Sequence, residues 1–350
     1  MITIVIPSLN PDEKLMMVVK SLVDKGFTDI VLVNDGSDDE HLQPFREASA
    51  YKECTVLTHE VNKGKGRALK TAFEYCLRER KETEGVITVD GDNQHRADDI
   101  YACMEAMRKF RDAVILGVRD FTGKDVPPKS RFGNHLTSAV FRFACGMKIS
   151  DTQTGLRAIP ARYLEEMCRV EGERFEYETN MLLTFKKASI PYREVSIQTV
   201  YIDENATTHF HPIRDSFQIY KIILKFVFGS LSSCLLDLGL FAVLKILTAG
   251  LGDKMSILFS TVIARVCSSF YNYNFNRKAV FDSKNGMKST IVRYYILCVV
   301  QMFVSYALVY AVSHFLVLGN VLTVVSKAVI DTVLFLVSFQ VQRAWVFRNK

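Results

Sequence analysis

Four apolar stretches, roughly Phe226–Leu247, Met255–Phe275, Tyr294–Phe315 and Val321–Val341, occupy the carboxyl-terminal third of this 350-residue chain. Each holds about 20 residues, enough for a helix to cross a ~30 Å hydrocarbon core. A chain built this way places part of itself in a bilayer, as helices that satisfy their own backbone. Charge follows the same division. The chain has 44 Lys and Arg against 38 Asp and Glu, yet beyond Phe226 there are 12 basic residues, four Asp and no Glu. The upstream two-thirds is therefore near neutral. Positive charge set between hydrophobic runs suits a membrane surface, whereas a nucleic-acid binder carries it on a soluble face, so no nucleic-acid partner is expected.

The loop Arg277–Arg293 holds Arg277, Lys278, Lys284, Lys288 and Arg293, and the tail holds Arg343, Arg348 and Lys350. The other connections hold Lys245 and Lys254 in one case and no basic residue in the other. The positive-inside bias puts the amino-terminal domain, this loop and the tail on the cytosolic side of a multi-pass cell-membrane protein. The opening run Met1-Ile2-Thr3-Ile4-Val5-Ile6 reads as a strand and lacks the basic start of a signal peptide. Asn274-Phe275-Asn276-Arg277-Lys278-Ala279-Val280-Phe281 closes the second stretch, and Gln340-Val341-Gln342-Arg343-Ala344-Trp345-Val346-Phe347 closes the fourth. A two-helix unit used twice is one reading and chance similarity the other. Gln340, Arg343, Ala344 and Trp345 come within one residue of the QxxRW spacing of processive polysaccharide synthases, but follow the last span; they read as a basic-aromatic membrane anchor. Asp237, Arg265, Lys327 and Asp331 fall inside spans, either as structural pairs between helices or along a path for a lipid headgroup.

Upstream, short β-branched runs alternate with amphipathic stretches. Residues 2–6, 30–33, 55–58, 86–90 and 113–117 read as buried strands; 11–25, 66–80 and 97–110 read as helices. This alternation predicts an α/β domain over residues 1–205, Rossmann-like, with a mostly parallel sheet whose ligands bind beyond the carboxyl ends of the strands. Residues 206–225, with Ile213, Phe217, Tyr220 and Leu224 at helical spacing among Arg214, Lys221 and Lys225, predict an amphipathic interfacial helix leading into the membrane domain, 226–350. The eight cysteines show no CxxC spacing and read as reduced, buried thiols.

The polar clusters sit where such a sheet would expose them. Val89-Asp90-Gly91-Asp92-Asn93-Gln94-His95 delivers two carboxylates to a strand end, one glycine apart. Hard oxygen ligands so spaced suit Mg²⁺ or Mn²⁺ shared with a diphosphate, which carboxylates alone would repel. Asp35, in Asn34-Asp35-Gly36-Ser37, either accepts hydrogen bonds from a nucleotide base or simply caps a turn. Asn62-Lys63-Gly64-Lys65-Gly66-Arg67 opens a helix whose amides and Lys65 could face a nucleotide phosphate, although the spacing is not that of a P-loop.

The order Pro7-Ser8-Leu9-Asn10, Asn34-Asp35-Gly36-Ser37, Asn62–Gly66, Asp90–His95 resembles family-2 glycosyltransferases of the GT-A fold, nearest the dolichyl-phosphate mannose synthase-like branch. Ser150-Asp151-Thr152-Gln153-Thr154-Gly155-Leu156-Arg157 resembles that branch's acceptor loop, with Thr154 for Ser and Leu156 for Phe. The four spans resemble a GtrA-type membrane domain. The resemblance implies that Pro7, Asn10, Asp35, Lys65 and Asp90 surround the nucleotide, that Asp90, Asp92 and Gln94 lie at the metal, and that Arg119 and Arg131 meet a lipid phosphate beside the acceptor loop of Asp151, Gln153, Thr154, Gly155 and Arg157. Asp92, Arg119 and Arg131 are the expected catalytic set. Two departures stand out: Pro11 occupies the place of a usual Glu, with Glu13 its nearest substitute, and Asn34 replaces the first of two aspartates.

The activity so implied is sugar transfer from a UDP- or GDP-sugar to a polyprenyl phosphate at the cytosolic membrane face, by a metal-dependent inverting displacement that supplies lipid-linked sugar for envelope glycans or protein glycosylation. A phosphate acceptor is ionised at pH 7 and needs no general base, which suits the absence of a Glu-Asp pair near Phe175–Asn180. Glu178 there either orients a substrate or lies on a solvated helix face. The alternatives are a processive or hydroxyl-directed polysaccharide synthase, and a lipid-linked-sugar transporter with an inactive soluble domain. The sequence leaves the sugar, the lipid length and any homo-oligomer undetermined.

Overall fold

The computed structural model of the chain describes residues 1–121, 126, 128–198, 217–281, 283, 285–315 and 320–348. They fall in two compact units, Met1–Gln218 and Ile219–Lys350. In the first, β1 (Ile2–Ser8), β2 (Ile30–Asn34), β3 (Cys54–Thr58), β4 (Gly85–Thr88), β5 (Val114–Arg119), β6 (Arg157–Pro160) and β7 (Tyr192–Ile197) form one sheet in the order β3-β2-β1-β4-β6-β5-β7. All neighbouring pairs are parallel except those of β6, which runs antiparallel to both β4 and β5. Ile4, Ile6, Ile30 and Leu32 belong to the main core cluster, and Val5 and Val31, which alternate with them, are equally buried. Both faces are therefore covered, as the continuous apolar runs require.

The helices supply that cover through their apolar stripes. In α1 (Lys14–Asp24) Leu15, Met16, Val18, Val19 and Leu22 are buried; in α4 (Ala97–Lys109) Ile100, Cys103, Met104 and Met107 are. These recur at three- and four-residue steps, one face of a helix. Helix α2 is Gln43–Ala48, and α3 (Lys65–Glu79) packs on β1 and β2 through residues that include Ala68, Ala72 and Phe73. Helices α5 (Pro128–Cys145), α6 (Leu164–Cys168) and α7 (Glu176–Lys187) flank β6 in sequence. The reversal of β6 positions the site. Its first residue, Arg157, lies opposite Thr88, the last of β4, and opposite Leu116 of β5. The loop that precedes β6 is thereby delivered to the carboxyl edge of the sheet. The cysteines form no disulfide among the described residues, and burial pushes the Cys103 thiol up to about 12.

The second unit holds α8 (Phe217–Leu247), α9 (Asp253–Phe275), α10 (Met287–Phe315) and α11 (Asn320–Val341). Among the described residues three stretches are long and apolar enough to cross a membrane: Ile223–Leu247, Met287–Val312 and Val325–Val346. Helix α9 matches the second expected span in length but carries Lys254, Arg265, Asn272 and Asn274, which dilute its apolar surface. The expected interfacial helix differs from what is seen. Its residues 206–216 lie outside the described residues, and 217–225 are the first turns of α8, with no break at 226.

The two similar octapeptides occupy matching positions. A π-helical turn follows each hairpin, Asn276–Val280 after α9 and Gln342–Val346 after α11. Phe281 N–H donates to Asn276 O at 2.9 Å, and Phe347 N–H to Gln342 O at 2.8 Å. The two ends then meet each other. The Asn276 amide donates to Gln342 Oε1 at 3.1 Å, with both residues buried, and the rings of Phe281 and Phe347 stack 5.3 Å apart. Trp345 is partly exposed beside Arg293, whose guanidinium donates to its carbonyl. The charges inside the helices are paired within the unit. Asp237 accepts from Ser268 Oγ at 2.8 Å and faces Arg265 at 3.3 Å; Asp331 accepts from Lys327 at 2.7 Å and from Ser305 Oγ at 2.6 Å.

Replacing Asn276 or Gln342 with Leu should each cost about 1 kcal/mol, the scale of hydrogen bonds between membrane helices. The double replacement should cost less than the sum of the two, because no amide is then left with half a partner. Melting of the purified protein in detergent measures this, and strict additivity would remove the clasp from the account.

Candidate active site

Asp90 follows β4 by two residues, held in line by Val89 N–H donating to Val5 O at 2.9 Å. Its carboxylate is surrounded. Lys65, the first residue of α3, places Nζ 2.7 Å from Asp90 Oδ1 and 3.0 Å from Oε2 of Glu178 on α7. His95 Nε2 lies 3.7 Å from Asp90 Oδ2. On the remaining side stands Gly155, where an added Cβ would lie 2.2 Å from Asp90 Oδ2. Only glycine permits the loop before β6 to approach Asp90 this closely. Burial alone would raise the Asp90 pKa, but Lys65 and His95 reverse this and hold the carboxyl well below its usual range. Burial likewise opposes the charge on Lys65, and Asp90 and Glu178 outweigh it, so the ammonium titrates above its usual value.

Asp92 is oriented by its own turn. The Gln94 amide donates to Asp92 Oδ1 at 3.1 Å, and Asn93 between them takes a left-handed φ of 62°. Burial, then the charge of Asp90, raises the Asp92 pKa. No three His, Cys, Asp or Glu side chains cluster as a metal cage among the described residues. Two carboxylates and the Gln94 amide nevertheless fit a hard divalent ion that completes its shell with phosphate oxygens and water.

Asp35 is placed differently from the base-binding expectation. Its carboxylate is buried and takes hydrogen bonds from the chain itself: His59 Nδ1 lies 2.7 Å from Oδ1, Lys63 N–H donates to Oδ1 at 3.0 Å, and Gly64 N–H donates to Oδ2 at 2.7 Å. The Lys63 and Gly64 amides, just before α3, are thus spent on an internal carboxylate. The glycines serve packing. A Cβ on Gly64, at φ 102°, would meet Glu173 O at 2.4 Å, and one on Gly66 would meet Tyr177 Cβ at 2.5 Å. Arg67 and Lys70 close the same contact by gripping Glu173 at 2.5 and 3.1 Å. This contact sets α3 against the start of α7 and brings Lys65 to Glu178. Beyond β1, Asn10 (φ 49°) pairs with Asp38, each donating to the other at 3.0 Å, while Pro7 in β1 lies opposite Val33. Glu13 is exposed at the start of α1.

Beside the loop before β6, Arg119 ends β5 and its fork is engaged. Nε donates to Asp151 Oδ2 at 2.7 Å and Nη2 to Oδ1 at 3.1 Å, with Asp151 fully buried. Thr154 Oγ1 donates to Gly117 O at 2.5 Å, and Thr88 Oγ1 donates to Gly155 O at 2.6 Å, which ties the loop to β5 and β4. The Gln153 amide donates to Asp151 Oδ1 at 3.0 Å. Arg131 lies on α5 one turn before Asn134, whose amide donates to Ser150 O at 2.6 Å. Arg157 faces inward, not toward a ligand. It is 1% exposed, donates to the carbonyls of Thr154 and Glu178, and burial draws its pKa down.

Three contributors escape a reading of the sequence alone. Glu178 is not on a solvated face but on Lys65. His59 is buried between Asp35 and Thr71, and Glu173 secures α3. The acidic run Glu171–Glu178 was a visible signal, but its partners lie on a helix far away along the chain. Asp35→Ala should leave His59 and two amides without their acceptor and cost about 3 kcal/mol. A large fall in melting temperature, with or without nucleotide, checks this; a stable variant that merely lost nucleotide affinity would restore the base-binding role.

Residues 3–183 match the family described as glycosyl transferase family 2, and residues 205–347 match the GtrA/DPMS transmembrane domain. An uncharacterized protein of Methanocaldococcus jannaschii is 25% identical over 231 residues, 65% of this chain and 93% of that protein. The UDP-N-acetylglucosamine–dolichyl-phosphate N-acetylglucosaminyltransferase of Methanococcus voltae is 26% identical over 224 residues, 58% and 87%. The dolichyl-phosphate beta-glucosyltransferase of Dictyostelium discoideum is 23% identical over 250 residues, 64% and 70%. An acidic pair at a strand end, a loop pressed onto it and a separate unit of long apolar helices agree with those matches, and the chain belongs to glycosyltransferase family 2, joined to a GtrA/DPMS transmembrane domain.

Proposed function

We propose that this glycosyltransferase moves a single sugar from a UDP- or GDP-sugar to a polyprenyl phosphate at the cytosolic face of the membrane, with Mg²⁺ or Mn²⁺ at Asp90, Asp92 and Gln94. The observation that carries this reading is the contact between Gly155 and Asp90. It sets an acceptor loop directly against the acidic pair, in a chain whose other unit is built of membrane helices. The names of the Methanococcus and Dictyostelium relatives support the same acceptor class.

The mechanism follows from charge. A polyprenyl phosphate is ionised at pH 7 and attacks without a general base. Glu178, the carboxylate nearest that role, is engaged by Lys65 at 3.0 Å. A bound divalent ion neutralises the charge that develops on the departing diphosphate. The chain's own residues bring two anions together. Asp90 and Asp92 fix the donor end, while Arg119 and Arg131 supply the cations that an anionic acceptor needs. Asp151 holds the Arg119 fork in a defined plane, and the Arg119 side chain is 21% exposed. One in-line displacement inverts the anomeric centre. Tethering the domain to the bilayer keeps a lipid substrate at high local concentration.

The test is the full-length protein in nanodiscs with Mg²⁺ or Mn²⁺, polyprenyl phosphate and a panel of UDP- and GDP-sugars, followed by mass spectrometry of the lipids. One sugar per lipid phosphate is the expected product; a chain growing on sugar hydroxyls would establish the processive reading instead. Asp92→Asn should lower transfer by at least about 100-fold, whereas an unchanged rate would favour transport over catalysis. Arg119→Lys, which cannot reproduce the fork, should raise KM for the lipid by about tenfold and leave the donor KM unaltered. Equal effects on both substrates would move Arg119 out of the acceptor site.

A further inference from the structure

Lys65 carries one ammonium between two carboxylates from opposite sides of the site. Asp90 Oδ1 is 2.7 Å away and Glu178 Oε2 is 3.0 Å away, and their side chains are 29% and 16% exposed. A lysine bridging two such acids is an unusual use of a donor-site residue. Asp90 is also the carboxylate a divalent ion would claim, and two cations cannot share one short contact without strong repulsion. The second carboxylate gives the lysine somewhere to remain. Glu178 is held for that purpose: it lies in the first turn of α7, and the start of α7 is fastened to α3 by Glu173 and by the close packing at Gly64 and Gly66. Lys65 itself is the first residue of α3, so its backbone is fixed by the same contact while its side chain can turn.

We infer that Lys65 is the resident cation of the donor site, holding Asp90 until a divalent ion arrives with the nucleotide-sugar, and that Glu178 is the positioning residue that retains Lys65 once Asp90 is given up. Resting on the proposed function, this assigns a division of labour within it. The empty site stays neutralised, so the acidic pair neither repels an approaching diphosphate nor collapses. The displaced ammonium, still tethered to Glu178, stays beside the diphosphate as a second positive charge. Glu178 therefore acts through Lys65 and does not touch the sugar.

The inference separates from a purely structural role through binding of Mn²⁺ to the full-length protein, read by the electron paramagnetic resonance of free Mn²⁺, without and with UDP. Lys65→Met should bind Mn²⁺ about tenfold more tightly without nucleotide, because a competing charge has gone, while transfer falls and the donor KM rises. Glu178→Gln should do the reverse, weakening Mn²⁺ binding because Lys65 is left to Asp90 alone, and Glu178→Asp should recover part of it. Lys63→Met, which removes an exposed charge nearby in the chain, should change Mn²⁺ affinity by less than about twofold. Loss of folding cannot tighten an ion, so the opposite signs at Lys65 and Glu178 are the diagnostic. If Lys65→Met bound Mn²⁺ as the parent does, or more weakly, the exchange would be overturned even where the parent transfers sugar normally. If the parent bound no Mn²⁺ with UDP present, the exchange and the metal assignment would fall together.

Discussion

Negative charge concentrated at the carboxyl edge of the sheet is the condition to which the rest of the first unit answers. Asp90, Asp92 and Glu178 crowd one place, and each carboxylate there requires a cation, a hydrogen-bond donor or a raised pKa. Lys65 meets two of them and the Gln94 amide meets the third. A second tier of acids secures the elements that carry those groups. Asp35 binds the turn before α3, Glu173 binds α3 to the segment before α7, and Asp151 binds β5 to the loop before β6. Asp35 and Asp151 are acids that sequence reasoning offers to a ligand, yet both hold the frame. They are 3% and 0% exposed and their oxygens take backbone or guanidinium donors, whereas the Asp90 side chain is 29% exposed.

How much of this was legible depends on how local the cause was. Strands β1 to β5 and helices α1, α3 and α4 follow from runs such as Ile30–Asn34 and from stripes such as Ile100, Cys103 and Met107, because burial on both sheet faces and on one helix face leaves a periodic mark. Strand β6 leaves none. It has four residues, starts on an arginine and ends on a proline, and its identity is set by pairing with β4 and β5. Among the described residues strand β7 pairs only with β5 and exposes Arg193, Glu194 and Ser196, so its pattern is that of a surface segment. The Asp90-x-Asp92 spacing was readable since neighbours in sequence share a strand end. The roles of Asp35, Lys65 and Glu178 were not, because their partners are assembled by helix packing. Gly64 and Gly66 illustrate the ambiguity: close approach of a phosphate and close approach of another helix demand the same missing side chain.

In the second unit the octapeptide resemblance turned out to have a physical counterpart. Asn276 and Gln342 occupy matching places after their hairpins and bond to each other, with matching π-turns and stacked phenylalanines. Similar chemistry at two hairpin ends lets them close on one another, with Phe226 of α8 and Tyr294 of α10 packed against the stacked rings. The intramembrane charges obey the same economy. Asp237 and Asp331 each find a hydroxyl on a neighbouring helix and a cation within the unit, the arrangement that makes ionised groups tolerable in hydrocarbon.

The reversed course of β6 has a consequence for how such an enzyme can diversify. The loop entering it is sewn to two strands through Thr88 and Thr154, so the separation between that loop and Asp90 is inherited from the pleating of the sheet itself. Segments outside those strands can be rewritten many times over without disturbing that spacing.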